Sequence, residues 1–592
     1  MDFQMMAFIA QQYLLLAVII LAFYGLGSPI SRWMFRAIPG SAVLTNSLQL
    51  AGGIGVSMVC LFVLGSVGLF NSIAITILLI SGLMLFGYQL VTGFPRPGAI
   101  PVKPIDRSRR YSITFLLPAS LVAVFVLPYL LLPLQMPHAW DELMYHLPYA
   151  RHWADNGSLV INEWVRYPLF PYNMGLLYAG ALVFDNETLT HLLHALTGAL
   201  TCMAIFGAAK RFFNLPVAVI ATLLVFDATR WGWDQAYVDL TLMYFWVCAL
   251  LCLFLRFENG DKRFSFLAAF MLAMAVGIKY QALMYLPVFL VLALFIERRV
   301  SVIIQSALVF VVFGSYWYIK NILISGDPIH PMGAEFFGYW LWNSADLQAQ
   351  MEDIDRVRDL PEWYFIIGLG TVFYWRSMSQ LSKMLLISTA ASLVLWYLLA
   401  GYTRYLTPVY PFLAILAADF LVKLWVTLSK HLPAVRVGEK MKFMFKNASL
   451  AMLLLVAVVV AVRESEDSLS KIAPNEVARH EFLKNEFSGY ALMSTLEQEL
   501  DGPLYQFGFE GEVYLLGKDV RGDIFGPGRY TDVYPLTGDA VLLSEHLKSL
   551  GAQYFLVNKQ RSPFSEIVWD PSLLNRFSIL ESSDSAVLYY IN

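Results

Sequence analysis

The sequence predicts an α-helical polytopic membrane protein of about 14 transmembrane helices, followed by a C-terminal α/β domain on the outer side. Three observations carry that expectation. Of 592 residues, 58% are hydrophobic and only 14% charged, with a mean hydropathy of +0.59, outside the range of soluble domains. Apolar runs of spanning length recur as far as residue 462. After Arg463 charged residues, Gly and Pro become common and such runs stop.

Taken in order, the apolar runs lie near 6–27, 44–70, 72–93, 112–134, 187–208, 215–231, 236–256, 264–279, 281–296, 301–319, 362–375, 384–401, 405–426 and 447–462. The first, starting from Met1-Asp-Phe-Gln-Met-Met, lacks the positive flank of a cleavable leader and reads as a retained span. Alternate connections hold 22 Lys and Arg, at 32–36, 96–110, 210–211, 256–263, 298–299, 376–383 and 423–446. The opposite set holds eight: Arg151, Arg166, Arg230, Lys279, Lys320, Arg356, Arg358 and Arg404. The positive-inside rule places the richer set in the cytoplasm, so both termini and the loops 135–186, 230–236 and 320–361 are expected outside. Three units follow: additional N-terminal spans and a cytoplasmic loop over 1–111, a transmembrane module over 112–462, and a soluble domain over 463–592. In the last, 504–508 and 554–558 read as strands, 542–550 as a helix between them and 577–591 as a closing hairpin. It carries no glycine pattern for a nucleotide and reads as a lid, an acceptor-docking module or a structural unit.

Composition also excludes. A net charge of -3 without a basic tract gives nucleic acid nothing to follow. Cys60, Cys202, Cys248 and Cys252 all fall inside apolar segments and read as small buried hydrophobes, not as disulfides or a zinc site.

Candidate chemistry gathers on the outer face. Asp141 and Glu142 come directly after the run ending at Leu134, where a charge near hydrocarbon is kept for a site or merely marks a helix end. Around them lie Trp140, Tyr145, His146 and the aromatic run Arg166 to Tyr172. Residues 145–155 have helical spacing, and 169–184 reads as a short segment lying along or re-entering the membrane. His146, His152, His191 and His194 lack a ligand spacing, so no metal is predicted. Asp239 opens a span, either as a helix cap or as a site residue. Lys279 and Arg404 stand at outer helix ends with no acid nearby in sequence. Each either snorkels to headgroups or meets a lipid-linked phosphate, and two cations at one depth favour the phosphate.

Five motifs, Trp140-Asp-Glu-x-x-Tyr-His146, Ala236-Tyr-Val-Asp239, Gly277-Ile-Lys-Tyr280, Tyr318-Ile-Lys-Asn with Asp327-Pro-Ile-His-Pro331, and Arg404-Tyr-Leu-x-Pro-x-Tyr-Pro411, together resemble the bacterial GT-C glycosyltransferases. The nearest branches are the protein mannosyltransferases, the aminoarabinose transferases and the rhizobial lipopolysaccharide-core transferases. Three spans precede the Asp141 loop where that family usually has one helix, and Lys320 stands where relatives often carry Arg. The resemblance implies inverting transfer of a sugar from a polyprenyl-phosphate donor to a glycan, lipid A or protein acceptor at the periplasmic face of a bacterial inner membrane. It implies Asp141 as general base, with Glu142 and Asp239 orienting it or the acceptor. Lys279 and Arg404 would hold the phosphate, and Tyr145, His146, Tyr237 and Lys320 would contact substrate. No cofactor beyond the lipid-linked sugar is expected. The alternatives are an O-antigen ligase or polymerase, told apart by whether the donor phosphate is a mono- or a diphosphate, and a secondary transporter; the latter would place its charges near the bilayer midplane.

Overall fold

The computed structural model describes residues 3–34, 41–93, 124, 126–431, 439–498, 500–561 and 573–592. The chain is an α-helical, multi-pass membrane protein: eight described helices are long and apolar enough to cross a bilayer, or up to nine if the bent pair counts as one span. They begin with α1 (Phe3–Leu26), α2 (Ala42–Ser66) and α3 (Ser72–Thr92), the last two capped by the side chains of Ser41 and Asn71 on orphan N–H groups. Glycine sets their closeness. A Cβ on Gly53 would stand 1.7 Å from the Phe23 carbonyl, and one on Gly25 would stand 1.9 Å from that of Gly82, so α1 packs backbone-to-backbone against both neighbours.

Two shorter outer helices follow, α4 (Leu147–Asn156), ended by Gly157 in the left-handed region, and α5 (Asn173–Leu182), in which every residue is buried. Of the stretch 169–184, read in sequence as lying along or re-entering the membrane, residues 173–182 are packed inside protein, while Phe184 is exposed. Next come α6 (Thr188–Phe212), α7 (Leu215–Thr229), α8 (Asp239–Asn259), α9 (Arg263–Val276) and α10 (Gln281–Ile296). Helix α8 is the axis of the bundle, buried from Asp239 to Arg256 and packed against α6 and α9. That burial lets its first residue be a carboxylate.

The run at 301–319 is broken into α11 (Val300–Gly314) and α12 (Tyr316–Ser325), which meet at 55°. Helix α13 (Ser344–Arg356) lies in the outer loop, started by a capping box between Asn343 and Asp346. The expected span at 362–375 is not a long helix: a four-residue turn and a 3₁₀ stretch, Ile367–Ser377, take its place. Most of the run 112–134 lies outside the described residues, and its end, 127–134, is 3₁₀. Helices α14 (Gln380–Leu399), α15 (Tyr410–His431) and α16 (Glu439–Ser470) complete the bundle.

Beyond it stands a five-stranded mixed sheet in the order β2-β1-β3-β5-β4, built from β1 (Leu504–Phe507), β2 (Val520–Arg521), β3 (Tyr554–Asn558), β4 (Phe577–Ser582) and β5 (Ala586–Ile591). The first three strands are parallel, with α17 (Ala540–Ser549) on the way to β3, and β5 joins antiparallel to β3 and β4. The short strand β2 has too few residues to show an alternation in sequence. Among the described residues, four ion pairs join this domain to the loops: Arg166 with Asp523, Arg529 with Asp346 at 2.9 Å, Arg479 with Glu187 at 2.8 Å, and the exposed Lys518 with Asp155 at 3.3 Å.

Candidate active site

The loop before α4 owes its shape to one carboxylate and one proline. Glu142 is fully buried, and both its oxygens are occupied: Oε1 accepts the N–H groups of His138 and Ala139, at 2.5 and 2.6 Å. Oε2 accepts the Ala236 N–H at 2.5 Å and faces His191 Nε2 at 2.9 Å. Burial alone would push the Glu142 carboxyl up, but His191 and these donors hold it below the usual range. Pro148 has no N–H for the carbonyl four residues back, and residues 142–146 widen into a π-helical turn. Glu142 thus pins the first outer loop to the second outer turn, and Asp141 beside it is turned the other way.

Four charges meet there. Arg404 Nη1 donates to Asp141 Oδ2 at 2.6 Å, while its Nε and Nη2 donate to Asp239 Oδ2 at 3.0 and 2.8 Å. Lys279 Nζ donates to the other oxygen of Asp239 at 3.0 Å. One guanidinium is therefore shared between two carboxylates. The Arg404 guanidinium lies 4.1 Å from the centre of the Tyr237 ring, and Lys279 lies 5.3 Å from that of Tyr405. The Tyr237 hydroxyl accepts the Asp141 N–H at 3.4 Å. Burial is the largest single influence on the Asp141 carboxyl and pushes it up, but Arg404, His146 and Lys279 together outweigh it and hold it below the usual range, whereas burial pushes the Lys279 ammonium down against the pull of Asp239.

The cluster floors a cavity of about 410 Å³ bounded by Trp140, Asp141, Tyr145, Tyr167, Lys279, Gln350, Asp353, Tyr402 and Arg404, among others. The Asp141 side chain is 21% exposed and that of Asp239 2%, so Asp141 is the carboxylate a substrate can reach.

Of the residues the sequence singles out, Asp141, Tyr145, Lys279 and Arg404 line the cavity, and Asp239 and Tyr237 stand directly behind it. Lys279 is not a lone cation: its anion, Asp239, lies 40 residues upstream. Glu142 is sealed from the cavity and cannot touch an acceptor; it holds the loop. His146 is buried behind the cluster, 4.1 Å from the Tyr145 ring, with neither nitrogen hydrogen-bonded, and burial drives its pKa down to about 3. It is outside the cavity lining. Lys320 is elsewhere too: its Nζ donates to the Leu159 carbonyl at 3.1 Å, near the Trp153 and Trp317 rings, where it secures the outer loop. His194 is satisfied by the Gly232 carbonyl and the Leu240 N–H. Tyr167, Gln350, Asp353 and Tyr402 were not singled out as site residues. Tyr167 lay in a conspicuous aromatic run, but nothing in α13 marks its Gln350 and Asp353 beyond an ordinary polar helix.

The family described as dolichyl-phosphate-mannose-protein mannosyltransferase matches residues 168–318, a span that contains Asp239 and Lys279. The crystal structure of ArnT from Cupriavidus metallidurans bound to undecaprenyl phosphate superposes over 81% of this chain and 98% of that one, with a TM-score of 0.50 at 14% identity. Its apo form gives 0.50 at 16%, over 80% and 97%. The chain is a glycosyltransferase with the GT-C fold. Within this GT-C chain, a second family, described as SF2091/S2213, matches residues 478–590, the part that holds the sheet. Two Shigella flexneri proteins are relatives of the same family as this glycosyltransferase. Uncharacterized protein SF2092/S2214 is 33% identical over 127 residues, 19% of this chain and 69% of its own. Uncharacterized protein SF2093/S2215 is 30% identical over 198 residues, 32% of this chain and 92% of its own.

Proposed function

We propose that this glycosyltransferase moves a sugar from a polyprenyl-phosphate donor to an acceptor hydroxyl at the periplasmic face of a bacterial inner membrane. The observation that carries the reading is the Arg404 guanidinium shared by Asp141 and Asp239 on the floor of a cavity at the outer helix ends. Asp239 keeps Arg404 and Lys279 in place through its own two oxygens, leaving the Arg404 Nη1 bond to Asp141 as the exchangeable one. A donor phosphate takes Nη1 and the neighbouring Lys279, and so releases Asp141. The freed carboxylate accepts the proton of the acceptor hydroxyl as its oxygen attacks the anomeric carbon. The bond from that carbon to the phosphate oxygen breaks, and the phosphate leaves with the electron pair, held by the two cations. Attack opposite the leaving group inverts the anomeric centre.

An apolar groove of about 780 Å³ between α10 and α14, lined by Val288, Val291, Phe295, Met384, Ile387 and Val394, suits the isoprenoid chain. It continues the helix whose first residue, Gln281, lines the catalytic cavity. The likeness in fold to a structure bound to undecaprenyl phosphate, and the scarcity of Lys and Arg in the loops that carry the cavity, agree with this.

The test is transfer of labelled sugar from polyprenyl phosphate by the purified protein in liposomes, with envelope glycolipid as acceptor. Asp141→Asn keeps the shape and removes the base, so turnover should fall by roughly 10²–10⁴-fold while donor binding persists. Turnover near wild type in folded Asp141→Asn, or efficient use of a nucleotide sugar in place of the lipid, would overturn the assignment.

A further inference from the structure

Helix α13 forms a wall of the catalytic cavity, and the chain leading into it is unusually bare. Phe336 is 88% exposed, Phe337 53% and Tyr339 46%, in a turn that Gly338 completes at φ 101°. Large apolar side chains projecting this far on a short, well-tied loop need a partner. The loop is tied firmly: buried Asp327 accepts the N–H groups of Ile329 and Gly333 at 2.9 and 3.1 Å. Asn321, in the last turns of α12, donates to the Pro328 carbonyl at 3.1 Å, which folds the loop back onto the end of that helix. There Ile319, Ile322 and Leu323 are also exposed, at 51%, 50% and 80%. They belong to the second half of a broken span, whose exposed apolar face has lipid as its surroundings.

We propose that Phe336, Phe337 and Tyr339 form a foot that inserts into the headgroup–acyl boundary of the leaflet on the catalytic side, continuing the lipid-facing surface of α12. Aromatic side chains are the ones that settle at that depth. The far end of α13 stands at the same boundary, where Leu360 and Trp363, 67% and 72% exposed, lead into the segment returning to the bundle. Helix α13 is thus supported by lipid at both ends and by the sheet domain above, through Asp346 and Arg529. Gln350 and Asp353, between those supports, face the cavity. The lipid surface is then part of what positions one cavity wall. The inference rests on exposure and chain path and is independent of which donor the enzyme uses.

The test is the depth of a nitroxide attached at Phe336→Cys in the full chain, with Cys60 and Cys202 replaced by Ala, in nanodiscs of phosphatidylethanolamine and phosphatidylglycerol. Collision with oxygen and with a water-soluble nickel chelate is compared with Gln348→Cys on the exposed face of α13. The expected result is a several-fold loss of nickel accessibility at 336 with oxygen accessibility retained. Tyr339→Cys should read the same way, and adding Phe337→Asp to Phe336→Cys should restore nickel access. Nickel access equal to that at 348 places the foot in water and overturns the proposal. Shielding from both probes means that protein, such as a second copy, covers it, and overturns it equally.

Discussion

At the scale of single residues, the position of Asp141 on Arg404 has a measurable pH signature. Held below the usual carboxylate range, near 3.9 when unperturbed, Asp141 in the free enzyme stays ionised well into acid. Its depressed pKa contributes stability that is present above the unfolded value and lost as pH falls through the folded one. When a donor phosphate takes Arg404, Asp141 loses that support and its pKa rises. The acid limb of kcat, which reports the bound enzyme, should therefore lie at higher pH than that of kcat/KM, which reports the free enzyme. Coincident limbs in steady-state profiles would mean that the Asp141–Arg404 pair survives binding. Lys279→Ala is the cleaner probe of phosphate contact, because Asp239 keeps Arg404; donor affinity in a direct binding assay should weaken by about 1.5–3 kcal/mol. An unchanged affinity would remove Lys279 from the phosphate site. Asp141, Asp239, Lys279 and Arg404 were visible in the sequence because each is a charge at the mouth of an apolar run. Their pairing was not visible, since it depends on how α8 packs beside the loops after α9 and α14. Glu142 shows the limit most sharply: its four partners come from three separate segments, and adjacency to Asp141 says nothing about them.

At the scale of elements, α13 is the piece whose attachment can be tested without touching the chemistry. Asp346 accepts the Asn343 N–H at its cap and also Arg529 Nε and Nη2, at 3.1 and 2.9 Å. Asp346→Asn keeps a good cap and removes the charge, so its cost, about 1.5–3 kcal/mol, comes from the lost charged hydrogen bonds. The thermal midpoint should drop, and Arg529→Gln on top of it should add less than it does alone, with a coupling of about 0.5–3 kcal/mol. Strict additivity would mean that the pair does not hold the helix. Most long helices are legible from apolar length, and the strands and hairpin of the sheet domain from short apolar runs, of which β1 and β3 are buried almost throughout. The exceptions have physical causes: 362–375 contains two glycines closely packed on α15, which leave room for 3₁₀ geometry, and Ser315 marks a 55° break that a hydropathy window averages away. Helix α5 reads in sequence as a segment lying along or re-entering the membrane because burial by protein and burial by lipid select the same side chains.

At the scale of the whole molecule, the 22-to-8 distribution of Lys and Arg predicts orientation directly. A cysteine at Ser158 or Gln348 should react with a membrane-impermeant maleimide added to the periplasmic side of intact cells, and one at Arg299 should not. The reverse pattern would invert the protein and place its catalytic cavity in the cytoplasm. Three of the ion pairs that fasten the sheet domain, those of Arg166, Asp346 and Glu187, join positions separated by 357, 183 and 292 residues. In each, the outer-loop member is synthesised long before its partner. Arg166 and Asp523, each 7% exposed, form a pair that cannot exist until synthesis has passed residue 523. A chain made only as far as the membrane helices would therefore present Arg166, Glu187 and Asp346 without the partners that the folded sheet domain brings to them.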